Sequence, residues 1–323
     1  MTATAVTVII VNWNSGTLLE ECLARLTQQT FLPARILVMD NGSTDGSAQR
    51  AQLVPGVTVR MLSVNLGFAA ANNMALRECE TDVVALLNPD AFPEMDWLMR
   101  LVTAALAYPN VAAFGSRQMV NGLPTTLDGI GDVYHFSGRV WRKGHGRIQC
   151  AADHIATEIF SPCAGAALYR RDALLRVGGF DEDFFCYVED IDLGFRLRLA
   201  GHTCLYVPDA VVHHVGSASS GGQHSDFAVY HGHRNLVWTF VKNMPGALFW
   251  LLLPLHVLLN LGEITWFIIL GQGGVILRAK WDAVRGLPKT WGKRNQIQTS
   301  RVATIRKIWR ILDKRFLFRK EDF

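Results

Sequence analysis

The chain lacks the short motifs that mark several common kinds of site. No CxxC pair occurs, which excludes a zinc ribbon or a disulfide framework and suits a reducing cytosol. The scattered cysteines are Cys22, Cys79, Cys150, Cys163, Cys186 and Cys204. There is no GxGxxG after the first apolar run, no GxxxxGKS/T loop and no GxSxG elbow. These absences argue against a dinucleotide-dependent dehydrogenase, a phosphate-loop nucleotidase and a serine hydrolase.

Charge is distributed unevenly along the chain. From Arg278 to the end there are 14 Lys and Arg against 4 Asp and Glu, a balance of +10. Because the whole chain carries +4, the part before Arg278 carries −6. A basic tail on an acidic body predicts an anionic partner. We expect a membrane surface and no nucleic acid, because an apolar segment precedes the tail.

The first part of the chain alternates short apolar strands with helical patterns. VTVIIV is predicted to be the first strand, since no basic residues precede it as in a signal peptide. Strand and helix alternation predicts an α/β fold with a mostly parallel sheet flanked by helices. In such sheets ligands bind beyond the carboxyl ends of the strands. Polar residues predicted at those ends are Asn12, Asp40, Asn65 and Asp90.

Two later segments have less regular patterns. Residues 115–162 are rich in glycine and are predicted to form loops and short strands that shape an acceptor site. The segment Glu189 to Leu199 is predicted to be a helix, because acidic residues in a first turn suit the positive end of the helix dipole. The stretch TCLYVPDAVVHHVG is predicted to be the final strand.

The chain divides by composition into residues 1–243 and a membrane-associating region, residues 244–323. Residues 247–270 are almost wholly apolar and long enough to cross a bilayer. Their interruptions and basic flank favour helices lying in the membrane interface. A single span and a buried helical hairpin are the alternatives. Beyond this segment, one face of a basic amphipathic helix is marked by Val302, Ile305, Ile308, Trp309, Leu312 and Phe316.

The polar residues match what sugar transfer from a nucleotide diphosphate requires. A carboxylate such as Asp40 can accept the imide N–H of a pyrimidine base. Asp90 can hold a divalent cation, which prefers carboxylate oxygens. Glu189 or Asp190 can take the proton of the acceptor hydroxyl, and an imidazole from the pair His213 and His214 can complete the metal shell.

Each of these residues also has a structural interpretation. Asp40 and Asp90 suit ordinary polar turns, and Glu189 with Asp190 suits a helix cap. Neighbouring residues on a strand point to opposite faces, so one histidine of the pair faces away from any site. The common position at strand ends favours the functional interpretation.

The sequence resembles family 2 glycosyltransferases of the GT-A fold, in their bacterial rhamnosyltransferase-like branch. The resemblance covers about two thirds of the chain, from Val6 to Gly222. The stretches that carry it are VTVIIVNWNS, ILVMDNGSTDGS, NLGFAAANNMAL, LLNPDA, GAALYRRDALLRVGGFDEDFFCYVEDIDLGFRLRLAG and VVHHVGSASSG.

This resemblance implies a nucleotide-sugar donor, a divalent cation (Mg²⁺ or Mn²⁺) and inversion at the anomeric carbon. Asp190 then matches the catalytic base, and Glu189 orients the acceptor or the base. Asp90 matches a metal ligand, although Asn88 replaces the first acid of the family's DxD motif. His214 best matches the metal-coordinating histidine, with His213 as the alternative. Residues matching the nucleotide-sugar site are Asn12, Asp40, Asn72 and Asn88.

Three hypotheses for the function follow. The first is transfer of rhamnose from dTDP-rhamnose to a polyprenyl-diphosphate-linked glycan at the cytoplasmic face of the plasma membrane. The second is transfer of a hexose to polyprenyl phosphate. The third is an inactive membrane-associated scaffold that binds sugar. The intact set of Asp40, Asp90, Asp190 and His214 disfavours the third.

Overall fold

A computed structural model of the chain describes residues 4–216 and 225–315. The strands are β1 Val6–Asn12, β2 Arg35–Asp40, β3 Val57–Met61, β4 Val83–Leu87, β5 Ala91–Pro93, β6 Val111–Val120, β7 Leu123–Gly129, β8 Asp132–Tyr134, β9 Val140–Arg142, β10 Thr157–Ile159, β11 Ala166–Arg170 and β12 Thr203–His214. The α-helices are α1 Leu18–Thr27, α2 Ser47–Ala51, α3 Phe68–Glu78, α4 Trp97–Ala107, α5 Arg171–Arg176, α6 Glu189–Leu199, α7 Asp226–Asn243, α8 Gly246–Ile269, α9 Gly273–Arg285, α10 Leu287–Thr299 and α11 Ile305–Ile311. Two short 3₁₀ helices span Ala151–His154 and Glu182–Phe184.

One mixed sheet organises the body of the molecule, with strand order β10-β12-β6-β11-β4-β1-β2-β3. The strands β4, β1, β2 and β3 are parallel, as the alternation of strands and helices predicts. Strand β11 runs antiparallel to both β4 and β6, and β12 runs parallel to β6. The carboxyl ends of β1, β2 and β4 therefore meet at one edge.

Helices cover both faces of the sheet, so the central strands β1 and β4 are largely apolar. On β1, Val8 and Ile10 belong to the core that includes α1 and α4, while Ile9 belongs to the core that includes α3. A strand buried on both faces shows an apolar run instead of an alternating pattern. The predicted first strand, the predicted final strand and the helix Glu189–Leu199 are confirmed.

The glycine-rich middle segment contains more structure than its sequence indicates. Strand β6 is ten residues long and pairs with β11, β12 and β7. Gly115 lies within it, close to the side chains of Ile159 and Pro162. A glycine inside a strand weakens the local pattern, and this one allows a neighbouring segment to approach closely.

The C-terminal helices pack against one another and against the α/β body. Helix α9 packs against α7 and α8, and α10 packs against α7. The Arg294 guanidinium on α10 donates to the carbonyl oxygens of Val241 (2.7 Å) and Met244 (2.6 Å). The division at residues 243 and 244 stays a prediction about sequence composition.

The amphipathic tail helix is short, and its apolar face is used inside the protein. Ile308 and Leu312 are 1% and 2% exposed in the core cluster beneath α8. Phe316, and the end of the VVHHVGSASSG stretch, lie outside the described residues. Val302, predicted on the same face, lies before this helix and is 73% exposed. Most other large exposed apolar side chains of this region lie on α8 and α9.

Candidate active site

A cavity of about 1230 Å³ opens at the carboxyl edge of the sheet. Five of the predicted site residues line it, namely Asn88, Asp90, Glu189, Asp190 and His214. Asn65, predicted at a strand end, also lines it. The opposite wall comes from α7 and α8. Residues far apart in sequence therefore share one enclosed space.

His214 lies between two carboxylates at one side of this cavity. Its Nε2 atom is 3.3 Å from Oδ1 of Asp90, and its Nδ1 atom is 2.8 Å from Oδ2 of Asp128. All three side chains are at most 10% exposed. Asp128 is held in turn by the guanidinium of Arg142 and by the imidazole of His145. The histidine ring therefore has a fixed orientation with Nε2 directed at Asp90.

The two carboxylates beside His214 favour a positive charge at its imidazole. Burial opposes protonation, yet the carboxylates of Asp128 and Asp90 raise the pKa of His214 to about 9. Although burial acts in the other direction, Arg142, His145 and His214 hold the pKa of Asp128 well below its usual range. A divalent cation would take the place of the proton on Nε2, because a ligating imidazole must be neutral. The deprotonated Nε2 and the Asp90 carboxylate converge, and an outer carboxylate holds the second ring nitrogen, so these residues fit such a cation.

His213, the neighbouring residue, faces away from this pair. Its Nε2 atom lies 3.3 Å from Oε1 of Glu94. This arrangement supports His214 as the candidate ligand. Within residues 4–216 and 225–315, no group of three or more His, Cys, Asp or Glu side chains has the arrangement of a metal site.

A second group of carboxylates lies where α6 begins. Asp190 is half-buried and accepts hydrogen bonds from the backbone N–H groups of Ala164 (3.2 Å) and Ile191 (2.8 Å). Burial raises its pKa above the usual value, although those backbone groups and Arg142 oppose the rise. Burial and then the charge of Asp190 raise the pKa of Glu189 well above its usual value. Carboxyl groups with raised pKa values are typical of catalytic acids and bases.

The backbone before α6 is strained, and α7 holds it in place. Phe185, Tyr187 and Val188 have φ angles of 64°, 66° and 70°. For a β-branched residue such as Val188 this conformation is a genuine outlier, worth about 1–3 kcal/mol. The buried Asn235 side chain on α7 donates to the carbonyl oxygens of residues 184, 186 and 187 at 2.8–3.0 Å. This contact stabilises the loop that positions Glu189 and Asp190.

The ends of β1 and β2 form a buried polar cluster beside the cavity. Asn12 Nδ2 donates to Oδ1 of Asp40 at 2.7 Å and to Oγ of Ser47 at 2.9 Å. The other oxygen of Asp40 accepts from the backbone N–H of Ser43. Asp40 is 1% exposed and is not among the residues that line the cavity. In this structure Asn12 and Asp40 hold the turn after β2.

The next residue, Asn41, connects this turn to the cavity. Its side chain donates to Oδ1 of Asn65 at 2.8 Å and accepts from the backbone N–H of Leu66 at 2.8 Å. Gly67 follows with φ of +86°, and a Cβ there would lie 2.6 Å from Phe185. Only glycine allows this loop to approach the strained segment so closely.

Asn88 and Asn72, both predicted to contact the nucleotide sugar, lie in different surroundings. Asn88 lines the cavity, and a Cβ on Gly165 would come within 3.1 Å of its Nδ2 atom. Asn72 does not line the cavity, is 2% exposed and donates to the carbonyl oxygen of Phe68 at 2.9 Å. The side chain of Asn72 therefore bonds within its own helix.

The sequence did not single out several residues that line the cavity. Asp128 and Asp132 flank the glycines at 129 and 131, in the segment predicted to be loops. Arg142 is near both of them on the β8–β9 hairpin. Acids next to closely spaced glycines are a sequence signal that could have identified Asp128 and Asp132 as candidates. The histidine that bonds to Asp128, His214, is however 86 residues away along the chain.

Solved structures with a similar fold include glycosyltransferases. A crystal structure of GalNAc-T7 with UDP, GalNAc and Mn²⁺ matches with a TM-score of 0.60 at 16% identity, over 75% of this chain and 48% of that chain. The mannosyltransferase PcManGT from Pyrobaculum calidifontis, in complex with GDP-Man and Mn²⁺, matches with a TM-score of 0.54 at 20% identity, over 94% of this chain and 87% of that chain. The fold is thus of the GT-A type found in glycosyltransferases.

The sequence comparisons narrow this class to one family. Residues 7–178 match the family model for glycosyl transferase family 2. The N-acetylglucosaminyl-diphospho-decaprenol L-rhamnosyltransferase of Mycobacterium tuberculosis is 30% identical over 253 residues, covering 69% of this chain and 80% of the relative. The O-antigen chain rhamnosyltransferase RfbN of Salmonella typhimurium is 25% identical over 211 residues, covering 65% of this chain and 66% of the relative. The chain belongs to glycosyl transferase family 2 and is a glycosyltransferase similar to rhamnosyltransferases.

Proposed function

We propose that this enzyme transfers rhamnose from dTDP-rhamnose to a glycan carried on a polyprenyl diphosphate, with inversion at the anomeric carbon. The observation that carries the proposal is the shared cavity, which joins Asp90 and His214, the carboxylates of α6 and an apolar wall from α8. The names of the two rhamnosyltransferase relatives support the choice of sugar and acceptor.

In this mechanism Asp190 is the general base. The acceptor hydroxyl forms a bond to the anomeric carbon while the bond from that carbon to the nucleotide diphosphate breaks, and the hydroxyl proton passes to the Asp190 carboxylate. Glu189 orients the acceptor, because its buried Oε2 atom has no hydrogen-bond partner among the described residues. The pKa of Asp190, raised by burial, gives the carboxylate more basicity than an exposed aspartate has.

The donor side of the site is assigned to the strand ends. Asn12 and Asp40 shape the turn next to the nucleotide, and Asn88 lines the cavity together with Asp90. Asp90 and His214 would hold a divalent cation, Mg²⁺ or Mn²⁺. When bound, such an ion supplies positive charge that stabilises the departing diphosphate.

We further propose that α8 and α9 attach the enzyme to the cytoplasmic face of the membrane. Helix α8 is long and apolar enough to cross a bilayer by length and composition. However, its two ionisable residues face the protein: His256 Nδ1 bonds to the carbonyl oxygen of Ser137 at 2.8 Å, and Glu263 pairs with Lys280 at 2.8 Å. The opposite face exposes Leu251 (71%) and Ile269 (72%). A helix with one face bonded to protein and the other face apolar suits the interface better than a span.

If α8 and α9 attach the enzyme to the membrane, its flotation with vesicles should change with salt and with charges introduced on these helices. High salt should weaken membrane flotation without abolishing it, because screening reduces the attraction of about 1 kcal/mol per basic residue but leaves apolar burial unchanged. The double variant Leu251→Glu with Trp281→Glu should stop floating, since burying a charge in hydrocarbon is costly. Both side chains are more than half exposed, at 71% and 61%.

The matched control for this flotation experiment is Leu53→Glu. Leu53 is 81% exposed on the α/β body, after α2, so this variant should float like the parent protein. If the parent protein remains in the soluble fraction without detergent or lipid, the membrane proposal is wrong.

The function is tested by a donor and acceptor panel on the purified protein with Mn²⁺. We expect dTDP release and a rhamnosylated product, detected by mass spectrometry, from dTDP-rhamnose and N-acetylglucosaminyl-diphospho-undecaprenol. UDP-hexoses should give little product. Product formed from a hexose donor and bare polyprenyl phosphate would support the hexosyltransferase hypothesis instead. No release from any donor would support the inactive scaffold.

A further inference from the structure

Helices α7 and α8 run antiparallel along one wall of the cavity. Their side chains meet at two levels: the rings of Phe240 and His256 stack with centroids 4.0 Å apart, and Nδ1 of His233 lies 2.9 Å from Oε2 of Glu263. The cavity extends along this pair of helices, where its lining includes the paired His233 and Glu263 and also Gly232, Leu236, Leu259, Gly262, Trp266 and Phe267. We call these residues the helical groove.

Both helices contribute a glycine to the helical groove. A Cβ placed on Gly232 or on Gly262 would meet no atom within 4 Å. Neither glycine is therefore required for close packing of the helices. A glycine inside a helix is destabilising relative to alanine by roughly 0.5–1 kcal/mol. Here the two glycines leave space in the cavity.

The helical groove connects the outer apolar face of α8 with the catalytic carboxylates. Trp266 lines the cavity and is 58% exposed, and Ile269 on the next turn is 72% exposed. The same cavity is lined by Glu189, which is 7% exposed and whose Oε2 atom lacks a hydrogen-bond partner among the described residues. A ligand extending along the groove would therefore have one apolar end at the outer surface and one polar end at α6.

We propose that the helical groove binds the isoprenoid segment next to the diphosphate of a lipid-linked acceptor, in the space left by Gly232 and Gly262. This inference rests on the proposed function, because it takes the acceptor to be a polyprenyl-diphosphate-linked sugar. His233 and Glu263 are paired with each other, and the other side chains of the groove are apolar or aromatic, which suits an isoprenoid chain. The sugar at the end of the diphosphate then lies on the side of Glu189 and Asp190.

The test fills the space with a leucine side chain. Gly262→Leu and Gly232→Leu should each lower kcat/KM at least about 10-fold with N-acetylglucosaminyl-diphospho-undecaprenol in vesicles, a loss equivalent to about 1.4 kcal/mol. With the water-soluble methyl ester of N-acetylglucosaminyl diphosphate they should lower it less than about 2-fold. The melting temperature should not fall, because leucine is a better helix former than glycine.

The matched control is Gly292→Leu. Gly292 lies inside α10, also has no atom within 4 Å of a built Cβ, and is not among the cavity-lining residues. This variant should keep full activity with both acceptors. Equal losses with both acceptors in the groove variants, or no loss with either, would overturn the proposal.

A binding measurement separates failure of the groove from failure of the proposed function. A fluorescent farnesyl diphosphate analogue should bind the full chain, with Kd raised at least about 10-fold by Gly262→Leu and unchanged by Gly292→Leu. If the parent protein transfers no sugar but shows this pattern, the function is wrong and the groove stands. Transfer to the lipid acceptor together with identical analogue binding by all variants would reject the groove alone.

Discussion

Asp190→Asn should lower kcat by a factor of about 100 to 10,000, the usual loss when a general base is removed. The change preserves size, and the single amide oxygen can keep one of the two backbone hydrogen bonds, from Ala164 or from Ile191. The role assigned to Asp190 is to take the acceptor proton, not to bind the donor. Donor affinity, measured by calorimetry with dTDP, should therefore remain near that of the parent. The melting temperature should change little, because the variant removes a carboxyl that burial disfavours in its charged form.

The pH dependence of kcat gives a second readout of Asp190. A general base must be deprotonated, and burial raises the pKa of Asp190 above its usual value. Activity should consequently be lost as the pH falls through this raised pKa, at a higher pH than for an ordinary aspartate. The residual activity of Asp190→Asn should lack this acidic limb.

Two further variants serve as controls for the base. Asp209→Asn makes the same chemical change at an exposed position on β12 and should leave kcat unchanged. Glu189→Gln should mainly raise the KM of the acceptor, because Glu189 is assigned to orient it. Near-normal turnover of Asp190→Asn with an accepted lipid-linked substrate would remove Asp190 from the role of base.

Asp90→Ala and His214→Ala should each weaken Mn²⁺ binding strongly. In other metal sites, loss of a residue that only orients a ligand lowers the affinity about 10- to 100-fold, and loss of a ligand itself should cost more. The reason is that each variant removes one of two converging donor atoms, which lie 3.3 Å apart. Binding is measured by electron paramagnetic resonance of Mn²⁺ with dTDP present, independently of turnover. Activity at fixed Mn²⁺ should fall in parallel.

The matched control for the metal experiment is the adjacent residue. His213→Ala removes an imidazole that pairs with Glu94 away from the cavity, so Mn²⁺ binding should be unchanged. Equal effects of the two histidine variants would contradict the assignment of His214. Full activity of the parent protein in excess chelator would show that transfer needs no metal.

The strand-end residues show what local pattern can predict. Asn12, Asp40 and Asp90 follow apolar runs, and parallel strands of an α/β sheet bring such ends to one edge. The start of α6 at Glu189 was equally predictable, because an acidic first turn stabilises a helix N-terminus. These features depend on neighbours within a few residues.

The choice between His213 and His214 could not be made in this way. Strand β12 pairs with β6 through a register shift between Val207 and Val211. Such a bulge changes which residues face the cavity, so counting alternate residues from the start of the strand does not identify the inward histidine. Asp128, which bonds to His214, lies on β7, in the glycine-rich segment that was predicted to form loops and short strands.

By itself the sequence determined the α/β class, the edge of the sheet that carries the site, the helix that presents Glu189 and Asp190, and the family to which the chain belongs. Only the tertiary structure decided that His214 faces Asp90 and Asp128, that Asn72 bonds within α3, and that α8 forms a wall of the active-site cavity. The physical reason is the range of the interactions. Strand, helix and turn preferences arise from adjacent residues, whereas the orientation of a side chain in a shared cavity depends on contacts with segments distant in the chain.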